Sequence, residues 1–127
     1  MFNNGDIYEK NENGKVYFGK NIMLSIINLA AKEISGVSSL SSNFGSRFKK
    51  FFSSNYFEGV KVSYTKNKNL IIDLYLNVYF GYSVADVAYR VQENVKNGIS
   101  NMISAKIEGI NIHVVGVDFS REDSAKL

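Results

Sequence analysis

The stretch Gly14-Lys15-Val16-Tyr17-Phe18-Gly19-Lys20-Asn21 comes close to a phosphate-binding P-loop. Such a loop wraps phosphates in backbone amides between two flexible glycines and needs Ser or Thr after its Lys to hold magnesium. Here Asn21 takes that place, and the spacer Lys-Val-Tyr-Phe favours extended backbone, so a strand between two turn glycines is the better reading. His113 is the single histidine, and Cys is absent. A metal centre needs several imidazole, thiolate or carboxylate ligands, so no metal site is expected. A Ser-His-acid arrangement stays formally open because Ser is plentiful, but the glycine pattern of a nucleophile elbow is missing. On a strand of alternating character His113 reads as a sheet residue with its polar edge satisfied or wet. Asp73 and Glu93 fall on different elements, and paired acids work only when they converge at a defined separation. The expectation is a protein with no catalytic residues, no cofactor and no metal, hence not an enzyme.

One segment remains that could do binding chemistry. In Phe44-Gly45-Ser46-Arg47-Phe48-Lys49-Lys50-Phe51-Phe52 the aromatics recur at helical spacing with three cations between them. Phe44, Arg47, Phe48, Lys49, Lys50 and Phe51 are therefore the partner-contact candidates. A basic amphipathic turn could lie on an anionic membrane surface or in a partner's groove. It could also stack single-stranded RNA bases beside phosphate-binding cations. Against both stands the plainer reading, in which the phenylalanines cap the core and the cations snorkel to water. With each cation worth about 1 kcal/mol near an anionic leaflet, this segment alone would bind a membrane weakly.

These residues need a scaffold, and 127 residues most simply make one domain with one core. A hydrophobic content of 45% is globular, and no run of about 18 apolar residues could span a bilayer. The N-terminus lacks the basic start and apolar core of a signal peptide. Absence of Cys gives no sign of a disulfide-stapled exported scaffold, so a cytoplasmic protein is expected. A net charge of +3 says little about partners.

The element with the clearest pattern runs from Ser83 to Ser104. Val87, Ala88, Val91, Val95, Ile99, Met102 and Ile103 fall on one helical stripe, with Asp86, Arg90, Glu93, Asn94 and Asn97 opposite. Ser83 and Asp86 have capping-box spacing, while Gly98 weakens the helix by about 1 kcal/mol against Ala. Ile110 to Phe119 is rich in β-branched residues and predicts a strand. Upstream, Lys15 to Phe18 predicts a short strand, and Asn21 caps a helix from Ile22 to about Ser35, ended by Gly36. Its apolar face takes Ile22, Met23, Ile26, Ile27, Ala30 and Ile34, widened by Leu24 and Leu29.

Val37 to Leu40 can add a short strand. Val60 to Thr65 and Leu70 to Phe80, joined by a polar turn, predict an antiparallel hairpin. On the longer strand Ile72, Leu74, Leu76, Val78 and Phe80 share one face, and Ile71, Asp73, Tyr75, Asn77 and Tyr79 the other. That second face is too polar for a doubly covered sheet, so both helices are expected on one side. The fold class is α/β (α+β): a two-layer sandwich in the order βα(β)ββαβ, with a mixed sheet of three to five strands. Residues 1–13 predict a flexible arm, 14–119 a single domain, and 120–127 a flexible tail.

The ordered set of these pieces is similar to a known family. Gly14-Lys15-Val16, Ala30 through Val37, Gly59-Val60-Lys61-Val62, Leu74 through Tyr79, Val84 through Ala88, Val91 through Val95 and Ile110 through Val117 resemble the bacterial alkaline shock proteins. The likeness covers residues 14–119, and the aromatic segment Phe44 to Phe57 departs from it. It implies a small non-enzymatic cytoplasmic protein of cell-envelope homeostasis and stress response. Such a protein acts by protein-protein contact near the inner membrane face, with a protein partner that can be membrane-anchored, and can form homo-oligomers. No small-molecule substrate is expected, and nucleic acid is disfavoured. The alternative is a small RNA-binding module built on Phe44–Phe52 and the hairpin Val60–Phe80.

Overall fold

A computed structural model describes residues 7–41, 56–103 and 106–119. In chain order the elements are β1 (Ile7–Asn11), β2 (Gly14–Phe18), α1 (Lys20–Lys32), β3 (Val37–Leu40), β4 (Tyr56–Phe57), β5 (Val60–Tyr64), β6 (Leu70–Tyr79), α2 (Val84–Ser100) and β7 (Ile107–Asp118). The class is the expected α+β, with a five-stranded sheet of mixed direction and a separate two-stranded hairpin.

β6 is the strand that all but one member of the sheet touches. Along one edge it pairs antiparallel with β5 over Leu70–Leu74 and then with β3 over Leu76–Val78. Along the other edge β7 runs parallel to it from Leu70 to Tyr79. A parallel neighbour requires a crossover, and α2 provides it. β4 closes the far side on β5. Alternation decides which residues meet the helices. Ile72, Leu74, Leu76 and Val78 are buried beneath α1 and α2, as are Val60 and Val62.

From above, Met23, Leu24, Ile27, Val87, Val91 and Val95 fill the same layer. Burying a side chain of this size contributes roughly 1.5–3 kcal/mol. α2 starts as its spacing predicts: the Ser83 hydroxyl accepts from the Asp86 backbone N–H at 3.3 Å, and Asp86 pairs with Arg90 at 3.0 Å.

Five local expectations differ from what forms. The arm over residues 1–13 contributes a strand, because the Asn11 carboxamide accepts from the Asn13 N–H at 2.8 Å and shapes a tight turn into β2. α1 begins at Lys20 with Gly19, not Asn21, in the cap position, and Ile22 N–H bonds to the Gly19 carbonyl at 3.1 Å. It ends at Lys32 rather than Ser35, since tighter bonds from Ile34 to Ala31 and Val37 to Ile34 turn the chain toward Gly36. Ile22 and Leu29 lie 50% and 61% exposed. The apolar surface of α1 is wider than the sheet beneath it, and these two sit on the flank left outside.

Phe80 also leaves the core. The strand stops at Tyr79, and the Phe80 ring points to solvent at 57% exposure.

Candidate interaction surface

The face of the sheet opposite the helices brings together residues from three strands, β3, β6 and β7. Asp73 and Asn111 are register partners on β6 and β7, as are Tyr75 and His113. The Asn111 amide donates to Asp73 Oδ1 at 3.1 Å, and His113 Nε2 lies 3.0 Å from the same oxygen. The His113 ring stacks on Tyr75, with centroids 4.5 Å apart. Further along, the Asn77 amide donates to the Ser39 hydroxyl at 3.1 Å. The ladders on the two edges of β6, parallel with β7 and antiparallel with β3, place such residues side by side, and once there they satisfy one another.

His113 is therefore a sheet residue held by an acid and an aromatic ring. The near-P-loop is strand β2, extended from Gly14 to Phe18. Asp73 does not meet Glu93, which lies exposed on α2. Among the described residues no three His, Cys, Asp or Glu side chains gather as a metal would need. Phe44, Arg47, Phe48, Lys49, Lys50 and Phe51 lie outside the described residues.

The structure adds surfaces that periodicity did not single out. Where β6 and β7 end, Phe80 and Phe119 face each other with ring centroids 5.1 Å apart, at 57% and 76% exposure. Val117 and Tyr82 are exposed nearby in sequence on the same two chain segments. A shallow groove of about 430 Å³ lies between the helices, bordered by Leu29 on α1, by Glu33 just past its end, and by Asn94 and Gly98 on α2. A second groove of about 230 Å³ runs between α2 and the start of β7, past Gln92, Lys96 and Glu108. Exposed aromatics at a strand end are visible in the sequence only once the strand's last residue is known.

No helix among the described residues is long and apolar enough to cross a membrane. The match that decides the family is to a model described by a cell envelope-related function, and it spans residues 8–119. The chain belongs to the alkaline shock protein 23 family. It is 37% identical to the uncharacterised protein YqhY of Bacillus subtilis (strain 168), over 88% of this chain and 83% of that one. It is 25% identical to the uncharacterised protein Spy1535 of Streptococcus pyogenes, serotype M6 (strain ATCC BAA-946 / MGAS10394), over 82% of this chain and 79% of that one. Among solved structures, a variant of MamM CTD superposes with a TM-score of 0.50 at 15% identity, covering 79% of this chain and 94% of that one. That likeness is one of fold.

Proposed function

We propose that this alkaline shock family protein is a non-catalytic binding module of cell-envelope homeostasis and stress response, acting by protein-protein contact near the cytoplasmic face of the membrane. The observation that carries this is the apolar tip where β6 and β7 end. Phe80 and Phe119 are large, adjacent and mostly exposed, with Val117 and Tyr82 close along the chain. Exposed aromatics grouped in this way mark contact sites, because water gains when they are covered. The family's cell envelope-related description gives the location its support.

The polar sheet face fits the same reading. Asp73, Asn111 and His113 spend their hydrogen bonds on one another, an arrangement that fixes strand register. The RNA-binding alternative would use this face as a stacking platform. Tyr75 is only 7% exposed and already stacks on His113, and the carboxylate of Asp73 lies beside it, which favours a protein partner over a polyanion.

The test is crosslinking in intact cells from photoreactive residues placed at Phe80 and Phe119, with Lys15 on the separate β1–β2 hairpin as control. Enrichment of a membrane-anchored protein from the tip positions alone is expected. Recovery of only ribosomal material, or equal yields from all three positions, would overturn the reading.

A further inference from the structure

We propose that two copies of this chain join edge to edge through β7, in antiparallel register about a two-fold axis at Ile112. The partner class deepens the protein-contact reading, but the surface is separate from the Phe80–Phe119 tip.

The backbone fixes which groups are free to pair. Leu70 N–H donates to the Lys106 carbonyl at 2.8 Å, and Phe80 N–H to the Asp118 carbonyl at 2.7 Å. With the register of β6 and β7 this sets the phase of the ladder. Peptide groups alternate sides along a parallel strand, so Gly109, Asn111 and His113 turn theirs toward β6. Ile110, Ile112 and Val114 turn theirs outward, where no described strand meets them. The Gln92 side-chain amide confirms the direction: it reaches over from α2 and donates to the Ile110 carbonyl at 2.9 Å.

Register shifts at Leu70/Ile71 and Leu76/Asn77 leave Glu108 and Val115 as unmatched residues of two bulges. Bulges blunt an edge strand against indiscriminate pairing. Between them a regular stretch, 109–114, is left, with Ile112 at the middle of its outward-facing residues. A second β7 placed antiparallel about Ile112 sets Ile110 against the partner's Val114, and Ile112 against its own equivalent. These are outward-facing groups on both sides, giving about six backbone hydrogen bonds. Their side chains, half-buried at the sheet edge, extend the two cores toward each other.

Charge selects this register over its neighbours. Counted through both bulges, Lys106 falls opposite the partner's Asp118, twice by symmetry, and Glu108 falls opposite Gly116. Asp118 Oδ2 accepts from the Ser38 hydroxyl of its own chain, which leaves Oδ1 to meet the cation. Sliding by two residues one way puts Glu108 opposite Asp118, two like charges across a strand pair, which is destabilising. Sliding the other way puts Glu108 opposite the apolar Val114. On the open face Asn111 becomes the cross-strand neighbour of the partner's His113.

The absence of native Cys allows a clean test. Oxidation of the full chain carrying both Asn111→Cys and His113→Cys should give a covalent dimer, and each single variant at least tenfold less. In the unmodified chain, amide exchange at Ile112 and Val114 should slow as concentration rises. Sedimentation should show dimer association weakened about tenfold by Lys106→Glu, restored on adding Asp118→Lys, and tightened by Gln92→Ala, which removes the competitor for the Ile110 carbonyl. A dimer whose Ile112 and Val114 amides stay unprotected would overturn the proposal by placing the contact elsewhere. A monomer up to about 1 mM, the weak end of specific association, would overturn it too. Either result leaves the tip crosslinking of the functional reading intact.

Discussion

The side-chain amide of Asn94 on α2 donates to the carbonyl oxygen of Ala30 on α1 at 2.7 Å, and to Glu33 Oε1 at 3.0 Å. The last carbonyls of a helix have no partner within it, and Ala30 is one of them. One helix thus caps the other, fixing their relative position above the sheet. Asn94→Ala should lower unfolding free energy by roughly 1–2 kcal/mol, read from the urea midpoint at unchanged slope. Asn94→Asp should cost more and worsen as pH rises through the carboxylate range, because the new charge faces a carbonyl and the Glu33 carboxylate.

Gly36 ends the turn after α1 with φ +103°, and a Cβ there would lie 2.6 Å from Val87 Cγ2. Gly36→Ala combines backbone strain with a clash against the first turn of α2. A loss of about 2–4 kcal/mol is expected, checked by thermal unfolding.

Gly98 makes the opposite case. It is helical, and nothing lies within 4 Å of where its Cβ would be. Gly98→Ala should therefore stabilise the chain by about 0.5–1 kcal/mol. A lower melting temperature would mean that this groove wall tolerates no methyl group.

The Asp73–His113 pair sits on an open face, with the histidine side chain 44% exposed. Solvent screening limits its worth, so a double-mutant cycle with Asp73→Asn and His113→Ala should give a coupling of no more than about 1 kcal/mol. A coupling of several kcal/mol would mark the pair as more than a register device.

Removing the hydroxyl that starts α2, by Ser83→Ala, should cost about 1 kcal/mol. The loss appears as a lower melting temperature with native-like circular dichroism.

The sequence was most legible where two signals coincide. For α2, an apolar stripe and a Ser83–Asp86 cap agree, and the observed start matches the reading. On β6 the alternation predicted which face is buried, from Ile72 to Val78. Prediction failed where tertiary geometry decides. Nothing local says that the flank of α1 holding Ile22 and Leu29 overhangs the sheet, or that Phe80 falls one residue past the strand. The contact between Asp73 and His113 was hidden for a related reason. They stand 40 residues apart, and only the parallel register of β6 and β7, set by the α2 crossover, makes them neighbours. The turn before β2 was readable from Asn11 to Gly14, but the polar residues around it obscured a strand that buries little.

Because β6 must await β7 for one entire side, synthesis itself imposes an order of events. As the chain leaves the ribosome, β5 and β3 can dock early, while the opposite flank of β6 stays bare until the final strand has emerged. For that interval the nascent sheet offers its longest strand to anything extended that comes by. Chaperone attachment should therefore persist until residue 118 clears the exit tunnel, and premature termination within α2 should yield a product destined for degradation.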